Sequence, residues 1–514
     1  MARQHYDVVV TGRSLGSLVS AALLARRAFR VLLVCGDTPP PTYSFESRPL
    51  SRRMFTLLVH HSPVWQRVLA ELAQSQTFRR RIKPLEPMFQ ALLPKVRMDI
   101  PPDGDDLLRE VERFYPSSRR DVEELYASLA QVNRLGDEIF STDLVFPPGN
   151  FWERREVSKA LKQNPIPFGW ADLVGMRGDD GEGSILSADH PFGELMELTI
   201  AFGRHLANPP GSFADCRLHG AWTRGPFEAI GGEASVFDFL TERVRAHGGD
   251  IWEDHAVTAI ETKRGRVVSL EIDGEEGAVG TNFVVSDKSA RDVVQLSKDL
   301  KLSARDYEAL PEFEEVSSRF VTSLWVKRDH VPALLANNAF LPGPVPLHVQ
   351  CTRDAQHDET LLVAESIIRE PERAFTREAV VEKLEREFPF LGRGLLVVDS
   401  PHDGLPLHAY EKGKRHVVER ARLRPTGGRT EAEEMEPQWK VHFAEGYGAA
   451  LPRLSADAIR TPVGQVLLTG KTVLPALGQE GELLAAWSVA RIVTKSDKQK
   501  ERMRREMWRK VELG

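Results

Sequence analysis

Cysteine is scarce in this chain of 514 residues: there are three, Cys35, Cys216 and Cys351. They are an odd number, lie far apart and form no CxxC pair, which argues against a disulfide framework and against a metal held by clustered thiolates. Long apolar runs are also missing. The longest stretches, Val19–Ala25 and Val31–Cys35, fall well short of the roughly 18 residues that span a bilayer. Asp7, Gly12 and Arg13 interrupt the N-terminal apolar stretch, so no secretory signal is expected there and the cytoplasm is the expected location. Nor is there an excess of positive charge. Lys and Arg number 68 against 74 Asp and Glu, a net charge of -6, so nucleic acid is not an expected partner. What is present is a 41% apolar composition, enough for a large core. At about 150 residues per domain the length predicts roughly three domains, or two with one interrupting the other.

The clearest local signal is at the start. Tyr6–Thr11 is a β-branched apolar run, Gly12–Ser17 a Gly/Ser turn, Leu18–Arg27 an Ala/Leu-rich helix, and Val31–Cys35 a second buried strand. Strand, tight turn, helix and parallel strand form the opening unit of a doubly wound sheet. Helical spacing follows at Leu58–Ala73 and Asp105–Ile139, and again at Ser235–His247. Strand-like runs return at Ile251–Ile260, Val267–Ile272 and Asn282–Val285. Alternating runs at Phe320–Val326, Leu347–Thr352 and Leu361–Ile367 predict an antiparallel sheet in a second domain. The Pro/Gly-rich, then acidic, Leu423–Pro437 reads as a surface loop. Val466–Gly470 reads as another strand, followed by a Pro/Gly loop and the helix Glu482–Val493.

The turn GRSLGS supports three readings. As a worn G-x-G-x-x-G fingerprint, Gly12 makes the tight turn, Ser14 stands where the second glycine lets backbone approach a pyrophosphate, and Ser17 replaces the third. As G-x-S-x-G between strand and helix, Gly12-Arg13-Ser14-Leu15-Gly16 matches a nucleophile elbow with Ser14 as a hydrolase nucleophile, although only one strand precedes it. As plain structure it is a βα turn with no ligand. A dinucleotide site expects an acid at the end of the second strand to hold ribose hydroxyls; Cys35 stands there, with Asp37 two residues on.

Taken together, several features resemble the phytoene desaturase-like (carotenoid desaturase and isomerase) flavoproteins. They are the N-terminal unit, Gly231-Gly232 before a helix ending His247-Gly248-Gly249-Asp250, the strand around Val257 with Arg266-Val267-Val268 after it, LEPMFQALLPKVRMDIPPDG at Leu85–Gly104, and the closing GKTVLPALGQEGELLAAW. The resemblance implies an α/β architecture: a Rossmann-like FAD-binding domain assembled from discontinuous segments, with an inserted α+β substrate domain containing an antiparallel sheet. The implied boundaries are 1–45, 225–300 and 440–493 for the cofactor domain, 46–224 and 301–439 for the substrate domain, and 494–514 for a basic helical tail. It implies FAD as cofactor and a hydrophobic, isoprenoid or polyene substrate that exchanges hydride with the flavin. Carried over residue by residue, Gly12, Arg13, Ser14, Leu15, Gly16 and Ser17 would face the pyrophosphate, Cys35 would take the place of the ribose acid, and the backbone at Val257 would meet the adenine. Gly470 and Lys471 would sit near the ribityl–phosphate chain, and Gly478, Glu480 and Gly481 beside the isoalloxazine.

The sequence also departs from that family. Ser14 and Ser17 replace glycines, Cys35 replaces the acid, and Lys471 stands where a small or acidic residue is usual. These departures support an alternative, a redox-inactive protein that keeps the fold as an apolar-ligand binder or interaction scaffold. No catalytic dyad stands out. His60, His61, His402, His408 and His416 lack metal spacing such as HExxH and read as core or solvent-facing histidines. The tail Lys495–Gly514 carries eight Lys/Arg against four Asp/Glu, with Met503, Met507 and Trp508 at helical spacing. It reads either as a solvated charged helix end or as an amphipathic helix for a membrane surface.

Overall fold

The computed structural model describes residues 4–93, 95–165, 191–207, 212–354, 357–369, 375–419, 432–442 and 454–513. Two large sheets organise them. The first has eight strands: β1 (His5–Thr11), β2 (Val31–Val34), β3 (Asp250–Trp252), β4 (Val257–Lys263), β5 (Arg266–Ile272), β6 (Val279–Ser286), β7 (Ser297–Lys298) and β8 (Val466–Leu468). Its parallel part runs β3-β2-β1-β6-β8, and β4 and β5 form an antiparallel meander attached to the start of β6. Strands from three distant stretches thus share one sheet, the Rossmann-like, discontinuous arrangement expected from the sequence.

Helix α1 (Leu15–Arg26) explains why the β1–α1–β2 unit was legible. Its residues Leu15 to Ala25 are all buried, as an Ala/Leu-rich helix between sheet and neighbouring helices must be. It packs against α2 (Gly232–Ala246) and α3 (Gly478–Lys495). The helix begins at Leu15 rather than Leu18, because Ser14 in extended conformation caps it and Oγ accepts from Ser17 N–H. The helical run Asp105–Ile139 is two helices, Gly104–Phe114 and Arg119–Phe140, broken where Pro116 cannot continue the first. Leu58–Ala73 shortens to Pro63–Glu71, with proline at its first position.

The second sheet has ten strands built around Glu312–Lys327, which pairs antiparallel with Glu359–Arg369 and Leu395–Asp399. Glu436–His442 pairs with the first half of that long strand. This corrects two expectations. Glu436 and Pro437 are strand rather than loop, and residues 440–442 join the second sheet rather than the first. Of the rest of the expected loop, 432–435 have no regular structure and 423–431 lie outside the described residues.

The C-terminal helix α4 (Lys498–Leu513) docks on the body. Trp508 Nε1 donates to Glu71 at 3.1 Å, Arg504 pairs with Asp143 at 2.9 Å, and Lys500 lies 3.6 Å from the centre of the Phe29 ring. Trp508 therefore serves the protein interior, while Met503 stays exposed. Among the described residues no helix is long and apolar enough to cross a membrane.

Candidate functional site

A cavity of about 1470 Å3 opens at the carboxyl ends of β1, β2, β6 and β8, where parallel α/β sheets bind ligands. One wall is Arg13, Ser14 and Leu15 from the β1–α1 turn, Asp37 after β2, Asp287 and Lys288 after β6, and Lys471 and Thr472 after β8. The opposite wall comes from the second sheet and its neighbours, including Phe202, Arg319, Glu365, Glu436 and Trp439.

Gly12 has φ +95°, and a Cβ there would lie 2.0 Å from the Asp287 carboxylate. A Cβ on Gly16 would lie 2.2 Å from the Thr469 carbonyl oxygen, so Gly16, rather than the residue at the third fingerprint position, gives the close helix–strand contact. Ser17 is buried there, and its hydroxyl donates to Thr11 O at 3.1 Å. The amides at the head of α1 are already engaged by anions. Ser14 N–H donates to Asp287 Oδ2 at 3.1 Å and Gly16 N–H to Glu482 Oε2 at 3.4 Å. Burial, then the neighbouring Asp37, pushes the Asp287 carboxyl up to about 6.

Ion pairs line much of the cavity. Lys288 meets Asp37 at 2.8 Å, Arg53 meets Glu233 at 2.7 Å, Arg319 meets Glu365 at 2.7 Å and Lys471 meets Glu436 at 2.6 Å. Burial raises the Glu436 carboxyl, but Lys471 and its other cationic neighbours outweigh this and hold it well below the usual range. Between Glu436 and Glu482 sits His205, buried, with Nδ1 and Nε2 each 3.5 Å from one of the two carboxylates and neither nitrogen in a well-formed hydrogen bond.

The expected site residues divide. Arg13, Ser14, Leu15 and Lys471 face the cavity, with Gly12, Gly16 and Ser17 immediately behind that wall. Cys35 does not face it. The thiol is buried against Trp252 O, and Asp37, three residues beyond the strand end, lines the cavity instead. Val257 pairs with Ile272 away from the cavity, where Glu253 and Asp254 of the preceding loop stand in its place. Gly470, Gly478 and Gly481 pack on backbone: a Cβ would lie 2.1 Å from Asp287 O, 2.0 Å from Gly203 O and 2.3 Å from Leu474 O, respectively. Glu480 points away, into a bidentate pair with Arg217 at 2.6 and 2.9 Å, and its neighbours Gln479 and Glu482 line the cavity. Ser14 Oγ is occupied as the helix cap, bonded to Ser17, and has no histidine partner among the described residues, so the nucleophile reading fails. Of the five histidines considered, only His402 lines the cavity. Sequence reading missed Asp287, Glu482 and His205. Asp287, just past an apolar strand, carried a usable signal; the other two carried none.

No family model and no curated protein matches the chain. Among solved structures it is similar to an oxidoreductase from Methanosarcina mazei, at 16% identity over 94% of this chain and 99% of that one, with a TM-score of 0.57. It is also similar to wild-type putrescine oxidase bound to putrescine, at 16% identity over 96% and 99%, TM-score 0.56. A third is the PF1083 protein from Pyrococcus furiosus, at 14% identity over 94% and 97%, TM-score 0.51. The likeness spans nearly the whole of each chain. At these identities it shows the fold, a Rossmann-type α/β domain joined to a second, sheet-containing domain.

Proposed function

We propose that the chain is an FAD-dependent oxidoreductase, phytoene desaturase-like, acting on a hydrophobic isoprenoid or polyene substrate. One observation carries this reading: the cavity lies at the strand ends, beside a helix head whose amides take anions. The fit is supported by the two carboxylates themselves, which stand in for phosphate oxygens on Ser14 and Gly16 N–H. In this reading those amides and Arg13 hold the pyrophosphate, Asp37 the ribose, and Lys471, Thr472 and Gln479 the flavin end. Phe55, Leu58, Phe202, Phe313 and Trp439 offer an apolar wall for the substrate. Bound FAD would supply a two-electron acceptor. The protein's part is to orient the apolar chain and exclude water, while His205, flanked by Glu436 and Glu482, can hold or release a proton at the wall.

The test is direct. The purified protein should show flavin absorbance or bind added FAD and be stabilised by it, and an isoprenoid polyene should bleach the bound flavin without oxygen. A colourless protein that FAD neither binds nor stabilises overturns the reading. The second reading, a redox-inactive chain that keeps the fold, is favoured by the same two carboxylates, since they fill the anion position; that outcome would establish it.

A further inference from the structure

We infer that Asp287 and Glu482 are internal anions that hold the dinucleotide turn closed, so that a pyrophosphate enters only by displacing both carboxylates. The inference rests on the proposed FAD site and adds a control to it. The head of a helix leaves backbone N–H groups without helical partners and draws negative charge. In most of α1's head these groups are satisfied from within the chain. Ser17 N–H is capped by Ser14 Oγ at 3.1 Å, Ser14 N–H by Asp287 at 3.1 Å, and Gly16 N–H by Glu482 at 3.4 Å.

The two carboxylates arrive from separate elements, Asp287 from just past the end of β6 and Glu482 from the second turn of α3. A phosphate at the same amides would therefore meet like charge from two directions, with Asp37 a third carboxylate beside Asp287. Arg13, Lys288 and Lys471 are the cations on this wall; Lys288 is already paired with Asp37 and Lys471 with Glu436. Glu482 also has somewhere to go. Its other oxygen lies 3.5 Å from His205 Nε2, so it can leave Gly16 and keep a partner. Side-chain carboxylates are mobile where backbone is not, so the turn can open without rebuilding the fold.

The experiment compares the full chain with Asp287→Asn, Glu482→Gln and the double variant, all isosteric and on different elements. Inorganic pyrophosphate and FAD are titrated by calorimetry, and thermal melts check that each protein is folded. Removing either charge should tighten pyrophosphate binding at least tenfold, and the double variant should bind tightest. FAD should follow the same order. Folded variants that bind pyrophosphate no more tightly than the wild type overturn the inference. If the variants gain pyrophosphate but no protein binds FAD, the closed turn stands and the oxidoreductase reading falls. If the wild type binds FAD as tightly as the variants do, the oxidoreductase reading stands and the closed turn falls. Should one single variant fail to fold, the other decides.

Discussion

At Gly12 two constraints coincide: φ is +95°, and an added Cβ would lie 2.0 Å from the Asp287 carboxylate. Gly12→Ala is expected to cost roughly 2–4 kcal/mol, read from denaturant unfolding. The double variant Gly12→Ala/Asp287→Ala should recover the part due to the clash and leave the part due to the backbone. Asp287 itself gives a pH signature. Its folded carboxyl, at about 6, lies above the ordinary value of 3.8, so the folded state binds the proton more tightly. The associated stability is full below about pH 4 and is lost as pH rises through about 6. Asp215 and Asp457, each pushed to about 7 by burial, share that trend, so the informative quantity is the difference between wild type and Asp287→Asn. At pH 8 the variant should be the more stable by roughly 1–3 kcal/mol, with no gain at pH 4. The βα turn was legible because Gly12 and the flanking strand and helix are local. How it tolerates serines was not, since Ser17 works through a hydrogen bond to Thr11 O, and Gly16 through a contact with Thr469.

The N-terminus of α3 depends on a partner 263 residues away. Glu480 accepts from Arg217 Nε and Nη2 at 2.9 and 2.6 Å, and from Ser62 Oγ at 2.8 Å. Arg217 also reaches Asp137 at 2.8 Å, and its side chain is 1% exposed. Burial raises the Glu480 carboxyl, yet the Arg217 guanidinium outweighs that and holds it at about 2. Arg217→Met leaves Glu480 as an uncompensated buried charge and should destabilise by about 3–5 kcal/mol, whereas Glu480→Gln leaves Arg217 its pair with Asp137 and should cost less. The pair replaced together by apolar residues of similar size should cost less than either alone, which a double-mutant cycle by thermal or urea unfolding would measure. The same distance explains why sequence reading put Glu480 beside the flavin. A helix head after a Pro/Gly loop is legible, but which of its side chains turns inward is decided by Arg217 on another helix. Elements with local signals, β1–α1–β2 and the alternating strands of the second sheet, were legible. The break at Pro116 was readable in principle, and the strand Glu436–His442 was hidden by the acidic Pro/Gly-rich run before it.

For the whole molecule, length alone left open three domains or two with one interrupting the other; the first sheet gathers strands from residues 5–34, 250–298 and 466–468, and the second from 89–100 and 312–442. The cavity lies between the two sheets' territories. Lys471 after β8 meets Glu436 on a second-sheet strand at 2.6 Å, and His205 faces both Glu436 and Glu482. The larger hydrophobic core contains β1, α1 and α3 and reaches second-sheet strands through Phe89, Met98, Ile100 and Phe340, while a separate one holds Phe320, Leu324, Val349 and Leu362. A ligand in such a seam contacts both territories, and its binding energy is available to both. In differential scanning calorimetry, FAD at about 100 times its Kd should add roughly 2.7 kcal/mol of stability. Spread over a chain of this size, that is a rise of a few degrees in Tm. If heating resolves two transitions, FAD should move both, because unfolding either territory destroys half of the cavity wall. A ligand held by the first sheet alone would move only the transition of that sheet, and a ligand bound elsewhere on the surface would leave the Gly12→Ala variant as responsive as the wild type.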